Sequence, residues 1–184
     1  MSAAFRETSL QRYTTDLASL FRSAIEKGGV KFDVMMDDDE QPVWIDREMW
    51  EKIVFNVIGN AFKFTLFGQI TVRCHLSSRH MLFTVQDTGI GIPAHEVHRI
   101  FENFHRAHNQ KGRSFEGTGM GLALTQQLVA LHGGHMEVES TFGQGTTFII
   151  YIPVGNAHLP KSQLVEGEAD WNAEYGQDIH SRGS

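Results

Sequence analysis

The chain has 184 residues, 41% of them hydrophobic and 21% charged, with a formal net charge of -6, ten histidines and one cysteine, Cys74. This composition suits a soluble globular domain with a real core; one cysteine excludes an intrachain disulfide and a cysteine-built zinc site, and the acidic balance gives no basic footprint for nucleic acid. No apolar run is long enough to cross a bilayer, and MSAAFRETSL lacks a signal peptide's apolar core, so a cytoplasmic protein or fragment without membrane contact is expected.

Residues 8–27 place Leu10, Tyr13, Leu17, Leu20, Phe21 and Ile25 at helical spacing. Thr8 or Ser9 can cap that helix, and Gly28-Gly29 ends it. VKFDVM reads as a strand with alternating faces, MDDDEQP as a solvated turn, and Val43-Trp44-Ile45 as a short strand. Asp46 caps a long helix over about 47–65, Gly68 breaks it, and strands follow at roughly 69–76 and 80–86. From Ile92 to about Gly117 the chain is polar, with a short helix expected in AHEVHRIFENF. A further helix covers about 119–132 and closes at Gly133-Gly134. Strands at roughly 135–140 and 146–152 are joined by TFGQGT. After Gly155 periodicity is lost, and the remainder reads as a mobile tail or linker. This order predicts an α+β fold: a two-layer α/β sandwich whose mixed, mostly antiparallel sheet is covered on one face by helices.

Four stretches carry the chemistry. In NVIGNAFKFT, Asn56, Asn60 and Lys63 are spaced i, i+4, i+7 and share one helix face among apolar neighbours. Such groups are costly to bury unpartnered. A Mg²⁺ ion with its phosphates would satisfy them, and a solvated polar stripe would serve equally well. In TVQDTGIGIP a strand ends in Asp87 and then Gly89 and Gly91. Asp-x-Gly is ordinary turn chemistry, or the carboxylate reads a ligand while the glycines let backbone come close. EGTGMGLAL opens a helix with Gly117, Gly119 and Gly121, a pattern that can hold an anion. It does not follow a strand and lacks the downstream acid of a dinucleotide fingerprint, and no Gly-Lys-Ser/Thr of a P-loop is present. GQGTTF delivers Thr146 into a strand, and a hairpin turn explains it alone.

Together and in this order, these boxes resemble the catalytic, ATP-binding domain of sensor histidine kinases. That family belongs with the heat-shock-type chaperones, type II topoisomerases and mismatch-repair ATPases, which share the Bergerat-type ATP-binding fold. The likeness covers about residues 40–155, with a looser match back to residue 8; DREMWEKIVFN and IPVGNAHLP look like the hybrid branch. It implies three parts: an N-terminal helix (1–29) linking to a phosphoacceptor domain, an ATP-binding domain (30–155) and a flexible tail (156–184).

The resemblance also implies roles. Asp87 would accept a hydrogen bond from the adenine amino group, with Gly89 and Gly91 passing close to the base and Thr146 supporting it. Asn60 would ligate Mg²⁺, with Asn56 supporting the metal and phosphates and Lys63 contacting phosphate. Phe64 would lie against the adenine and Leu122 near the ribose or base. Gly117, Thr118, Gly119, Met120 and Gly121 would end a lid over about 93–117 and cradle phosphates. FENFHR would anchor that lid, with Arg106 reaching the γ-phosphate. Asn103 stands where an Arg is common, and Gly59 where Ser is more usual. Gly59 costs the helix roughly 1 kcal/mol, which implies close packing there.

The hydrolytic relatives carry a Glu one turn before the metal-binding Asn, as a general base for water. Here that position is Asn56, which cannot take a proton. Transfer of the γ-phosphoryl group to a histidine is therefore expected. His95-Glu96 is the only His-acid pair with the right local look, but it follows the adenine-binding turn and reads as an exposed surface pair. The acceptor is thus expected on a separate dimerisation/phosphoacceptor domain, with a response regulator receiver domain downstream. A nucleotide-binding module without turnover and a serine kinase of the same superfamily remain open as alternatives.

Overall fold

In the computed structural model, residues 2–101 and 118–166 are described. Strand β1 (Phe5–Thr8) leads into helix α1 (Leu10–Ser19), which Ser9 caps through its hydroxyl, accepting from the Arg12 N–H. The single helix expected over 8–27 is two: α2 (Arg22–Lys27) follows after a tightened turn in which the Leu20 and Phe21 N–H groups reach back three residues. The Ser19 hydroxyl donates to the Asp16 carbonyl, a back-bond that bends helices. The break lets Phe21 meet Phe55 edge-on at 5.4 Å while Ile25 turns fully inward.

Strand β2 (Val30–Met36) and the short β3 (Val43–Ile45) precede α3 (Arg47–Phe64). Asp46 caps α3 as expected, one oxygen accepting from the Met49 N–H and the other from Ala4. Then come β4 (Gly68–Ser77), β5 (His80–Asp87), α4 (Thr118–Leu131), β6 (His135–Thr141) and β7 (Gly145–Pro153).

The five-stranded sheet runs β2-β4-β5-β7-β6, with β2 and β4 parallel and every other pair antiparallel. The period-2 alternation decides its faces. Ile70, Val72, Cys74, Met81, Phe83, Val85, Phe148, Ile150 and Ile152 are all buried on one side, under the apolar faces of α1 and α3. Trp50 is buried at the centre of this layer, its ring edge-on to Phe83 at 5.3 Å and its N–H donated to the Thr14 hydroxyl. Gln86, His135, Glu137 and Glu139 lie on the opposite, wetter face. The α+β two-layer sandwich with a mixed, mostly antiparallel sheet is borne out.

A second, three-stranded sheet, β3-β1-β8, was not expected. It includes β8 (Leu164–Val165), which pairs parallel to β1 through Phe5 and Leu164. The stretch 156–166 is therefore not the mobile tail anticipated after Gly155. Leu159 is buried, and the Gly155 N–H is donated to the Pro42 carbonyl. A two-residue strand such as β8 is too short to show a period, and its partner β1 lies near the start of the chain. His132 ties the end of α4 to the second sheet: it is buried edge-on to Phe5 at 5.1 Å, donates from Nδ1 to the Leu128 carbonyl and accepts the Asp46 N–H at Nε2. Burial lowers its pKa, in keeping with a neutral ring.

Two further expectations need correction. AHEVHRIFENF holds a single 3-10 turn, Val97–Arg99, with Glu96 and Ile100 buried, and its last three residues lie outside the described ones. Gly59 does not mark close packing either, since a Cβ there would meet no atom within 4 Å. Gly59→Ala should therefore raise the free energy of unfolding by about 1 kcal/mol, the helix-propensity difference. Chemical denaturation measures this, and a loss of stability would show that the space is needed.

Candidate functional site

Asp87 is the last residue of β5, and its register partner is Thr146 near the start of β7. Because alternation points both side chains to the helix-covered face, the carboxylate arrives in the core layer; Asp87 is 4% exposed. The turn after it folds back so that the Gly89 N–H is donated to Asp87 Oδ1 at 2.8 Å. The Thr146 N–H also hydrogen-bonds the carboxylate, and the buried Thr65 hydroxyl leans toward it. Burial outweighs these three and pushes the Asp87 pKa up from 3.8 to about 6.

The two glycines are required by the protein's own backbone. A Cβ on Gly89 would lie 2.2 Å from the Phe64 carbonyl oxygen, at the end of α3. Gly91 has φ +73, and a Cβ there would lie 2.3 Å from the Thr141 carbonyl oxygen. The turn is thereby clamped between the last turn of α3 and the β6–β7 hairpin. The Ile90 N–H is donated to the Phe64 carbonyl, and the Gly143 N–H to the Ile90 carbonyl.

This clamp brings the Asn/Asn/Lys helix next to Asp87. Asn56 and Asn60 are half-buried on α3. Lys63 is buried, its ammonium 5.1 Å from the centroid of the half-buried Phe64 ring. The Asn56 amide nitrogen is committed: it donates to the Gly121 carbonyl at 3.3 Å and to the Thr125 hydroxyl at 3.2 Å on α4. Thr118, Gly119 and Met120 form the start of α4, and Leu122 is buried behind it. Gly117, Asn103 and Arg106 lie outside the described residues. His95 is exposed while Glu96 is fully buried, so this pair is not presented together at the surface.

Three residues escaped the sequence reading. Ser140 accepts the Ile92 N–H at 2.7 Å and bonds the Thr146 hydroxyl at 2.8 Å, fixing the floor beside Asp87. Its signal was a polar residue on the inward phase of Met136, Val138 and Ser140. Thr125 likewise interrupts the inward row Leu122, Thr125, Val129 of α4. Thr65 follows the last helical residue and left no pattern to read.

A family model described as histidine kinase-, DNA gyrase B-, and HSP90-like ATPase matches residues 45–156. The circadian input-output histidine kinase CikA of Synechococcus elongatus is 37% identical over 151 residues, covering 80% of this chain and 20% of that protein. The chain thus spans about a fifth of the length of the curated relatives it matches. Among solved structures, the nucleotide-free catalytic domain of the histidine kinase ThkA is similar with a TM-score of 0.70 and 25% identity, over 82% of this chain and 95% of that one. Full-length ShkA in complex with AMPPNP is similar with a TM-score of 0.72 and 25% identity, over 86% of this chain and 33% of that one.

The raised pKa of Asp87 has a consequence for stability. Between pH 3.8 and about 6 the folded chain binds more protons at this group than the unfolded chain. Its burial therefore weighs against folding increasingly as pH rises through that window, by on the order of 3 kcal/mol above it. Asp87→Asn should raise the melting temperature of the ligand-free chain at pH 7 and remove this pH dependence. An unchanged or lower melting temperature would mean that the carboxylate is not a strained charge.

Proposed function

The chain belongs to the histidine kinase-, DNA gyrase B-, and HSP90-like ATPase family, as the domain found in two-component sensor kinases, and from that we propose that it binds Mg-ATP and transfers the γ-phosphoryl group to a histidine on a separate dimerisation/phosphoacceptor domain. One observation carries the reading: a carboxylate held in the core layer at a cost, oriented by two backbone N–H groups and set against the Asn60 and Lys63 helix. A buried acceptor of this kind calls for a donor from a ligand, and the adenine amino group is one. Above pH 6 Asp87 is ionised and can only accept, which suits an amino group and opposes a ring carbonyl.

Among the described residues, no group of three or more His, Cys, Asp or Glu side chains could hold a metal. The carboxamide oxygen of Asn60 fits Mg²⁺ that arrives with the substrate's phosphates and keeps several waters. Bound there, Mg²⁺ would neutralise phosphate charge. Lys63 would add a positive charge to the same phosphates, and Phe64 would lie against the base with Leu122 behind. Gly89 and Gly91 keep the turn thin beside the base, and Thr146 braces Asp87 from β7. By resemblance, the backbone from Gly117 through Thr118, Gly119 and Met120 to Gly121 would donate to phosphate oxygens, and Arg106 would reach the γ-phosphate.

Transfer needs positioning and electrostatics more than a base on this chain. An imidazole nitrogen of the acceptor histidine forms the bond to the γ-phosphorus as the bond to the ADP oxygen breaks, and the acceptor's acidic neighbour takes the ring proton. Asn56 supports transfer over hydrolysis, because a neutral carboxamide is far too weak a base to deprotonate water. A response regulator receiver domain would take the phosphoryl group next. No helix among the described residues is long and apolar enough to cross a membrane, and the proposed setting is the cytoplasm.

Given Mg-ATP and a histidine-bearing acceptor domain, the chain should place acid-labile, base-stable phosphate on the acceptor. Asn60→Ala should lower that rate at least tenfold while leaving metal-free ADP affinity nearly unchanged. Acid-stable phosphate on serine would overturn the acceptor assignment, and equal losses with and without Mg²⁺ would overturn the metal role of Asn60.

A further inference from the structure

Asn56, Thr125 and Gly121 form a closed polar triangle between α3 and α4. The Thr125 hydroxyl donates to the Gly121 carbonyl at 2.7 Å and accepts from the Asn56 carboxamide at 3.2 Å, while the same carboxamide reaches the Gly121 carbonyl at 3.3 Å. Thr125 is fully buried, and a Cβ added to Gly121 would already touch the Asn56 carboxamide carbon at 3.6 Å. Each of the three bonds pairs a donor with an acceptor inside the protein, and none of them needs a metal. The triangle lies one helical turn before Asn60 on α3 and at the opening turn of α4.

We propose that Thr125 is a positioning residue for phosphate binding, which with Asn56 pins the opening turn of α4 to α3 and so sets the gap between that turn's backbone N–H groups and Asn60 and Lys63. The inference rests on the nucleotide reading above and gives Asn56 a role different from metal support. The first N–H groups of a helix have no partner inside it, and their value to a phosphate depends on where the helix begins. A polar bond at that turn fixes the position better than apolar packing, which tolerates sliding along the helix axis. Only a hydroxyl can make both bonds, because valine has the shape of threonine yet loses the donor to Gly121 and the acceptor for Asn56. Neither residue bonds Asp87, so the base site should not sense the change.

A double-mutant cycle on the intact chain tests this. Dissociation constants for AMPPNP and AMP are measured with and without Mg²⁺ for wild type, Asn56→Ala, Thr125→Val, the double variant and Thr125→Ser, with thermal unfolding recorded for each. Each single variant should weaken AMPPNP about tenfold, equivalent to about 1.4 kcal/mol, whether or not Mg²⁺ is present. The double variant should be no weaker than either single one, Thr125→Ser should stay near wild type, and AMP should bind all five within twofold. Wild-type AMPPNP affinity in Thr125→Val, with Asn56→Ala impaired only in Mg²⁺, would overturn the proposal and return Asn56 to the metal. Equal loss of AMPPNP and AMP would also overturn it, showing a general structural role. If Thr125→Val does not fold, wild-type behaviour in Thr125→Ser combined with a Mg²⁺-independent loss in Asn56→Ala still supports it. A wild-type chain that binds neither nucleotide would instead refute the nucleotide reading itself, and the positioning role with it.

Discussion

The buried carboxylate of Asp87 is the constraint around which this fold is arranged. A sheet could end on any residue, yet here the inward phase of β5 finishes on a charge that burial makes costly. Its surroundings limit that cost without removing it. Two backbone N–H groups point at it, and Ser140 and Thr146 hold the neighbouring strand in place. The turn can supply the Gly89 N–H only because it packs against the Phe64 carbonyl, where a side chain on Gly89 has no room. The position of α3 thus depends on the position of the carboxylate, and the reverse also holds.

Helix α3 serves two surfaces. Ile53, Val54, Val57, Ile58 and Ala61 are all fully buried and anchor it to the sheet. Asn56 on the neighbouring row bonds α4 instead, and the Phe64 carbonyl at the end of the helix receives the turn after Asp87. Because the helix is rigid, burying one row fixes the other, so core packing and site geometry are one event. The triangle of Asn56, Thr125 and Gly121 extends the same logic to α4. The polar groups held at the end of the sheet are thereby few, oriented and partly dry, the condition in which electrostatic interactions with a ligand are strongest.

Much of this was legible in the sequence, for reasons that particular residues make plain. Long elements announced themselves locally: α3 by its cap at Asp46 and its apolar rows, β5 and β7 by short apolar runs bounded by turn residues. The site boxes were legible as ordered motifs, since glycines at forced close approaches and a carboxylate ending an apolar strand leave strong local marks. What escaped were pairings between distant short segments, such as Phe5 with Leu164, where two residues cannot show a period. The break at Leu20-Phe21 was hidden because helical spacing continues through it. Gly59 invited the wrong explanation, since sequence reveals a cost in a helix and not the empty space beside it. Thr125 and Ser140 were visible as polar residues in apolar rows, but their bonding to Asn56 and Thr146 is a matter of tertiary contact.

The most direct measurement of the central claim, that Asp87 reads an amino group on a purine, is a pair of calorimetric titrations of the purified chain at pH 7.5 with Mg²⁺, one with ADP and one with GDP. GDP carries a carbonyl where adenine carries its amino group, so it would set an oxygen against an ionised carboxylate. Saturable binding of ADP with at least a hundredfold weaker binding of GDP is the expected result. Equal affinity for the two nucleotides, or no binding of ADP by a folded chain, would contradict it.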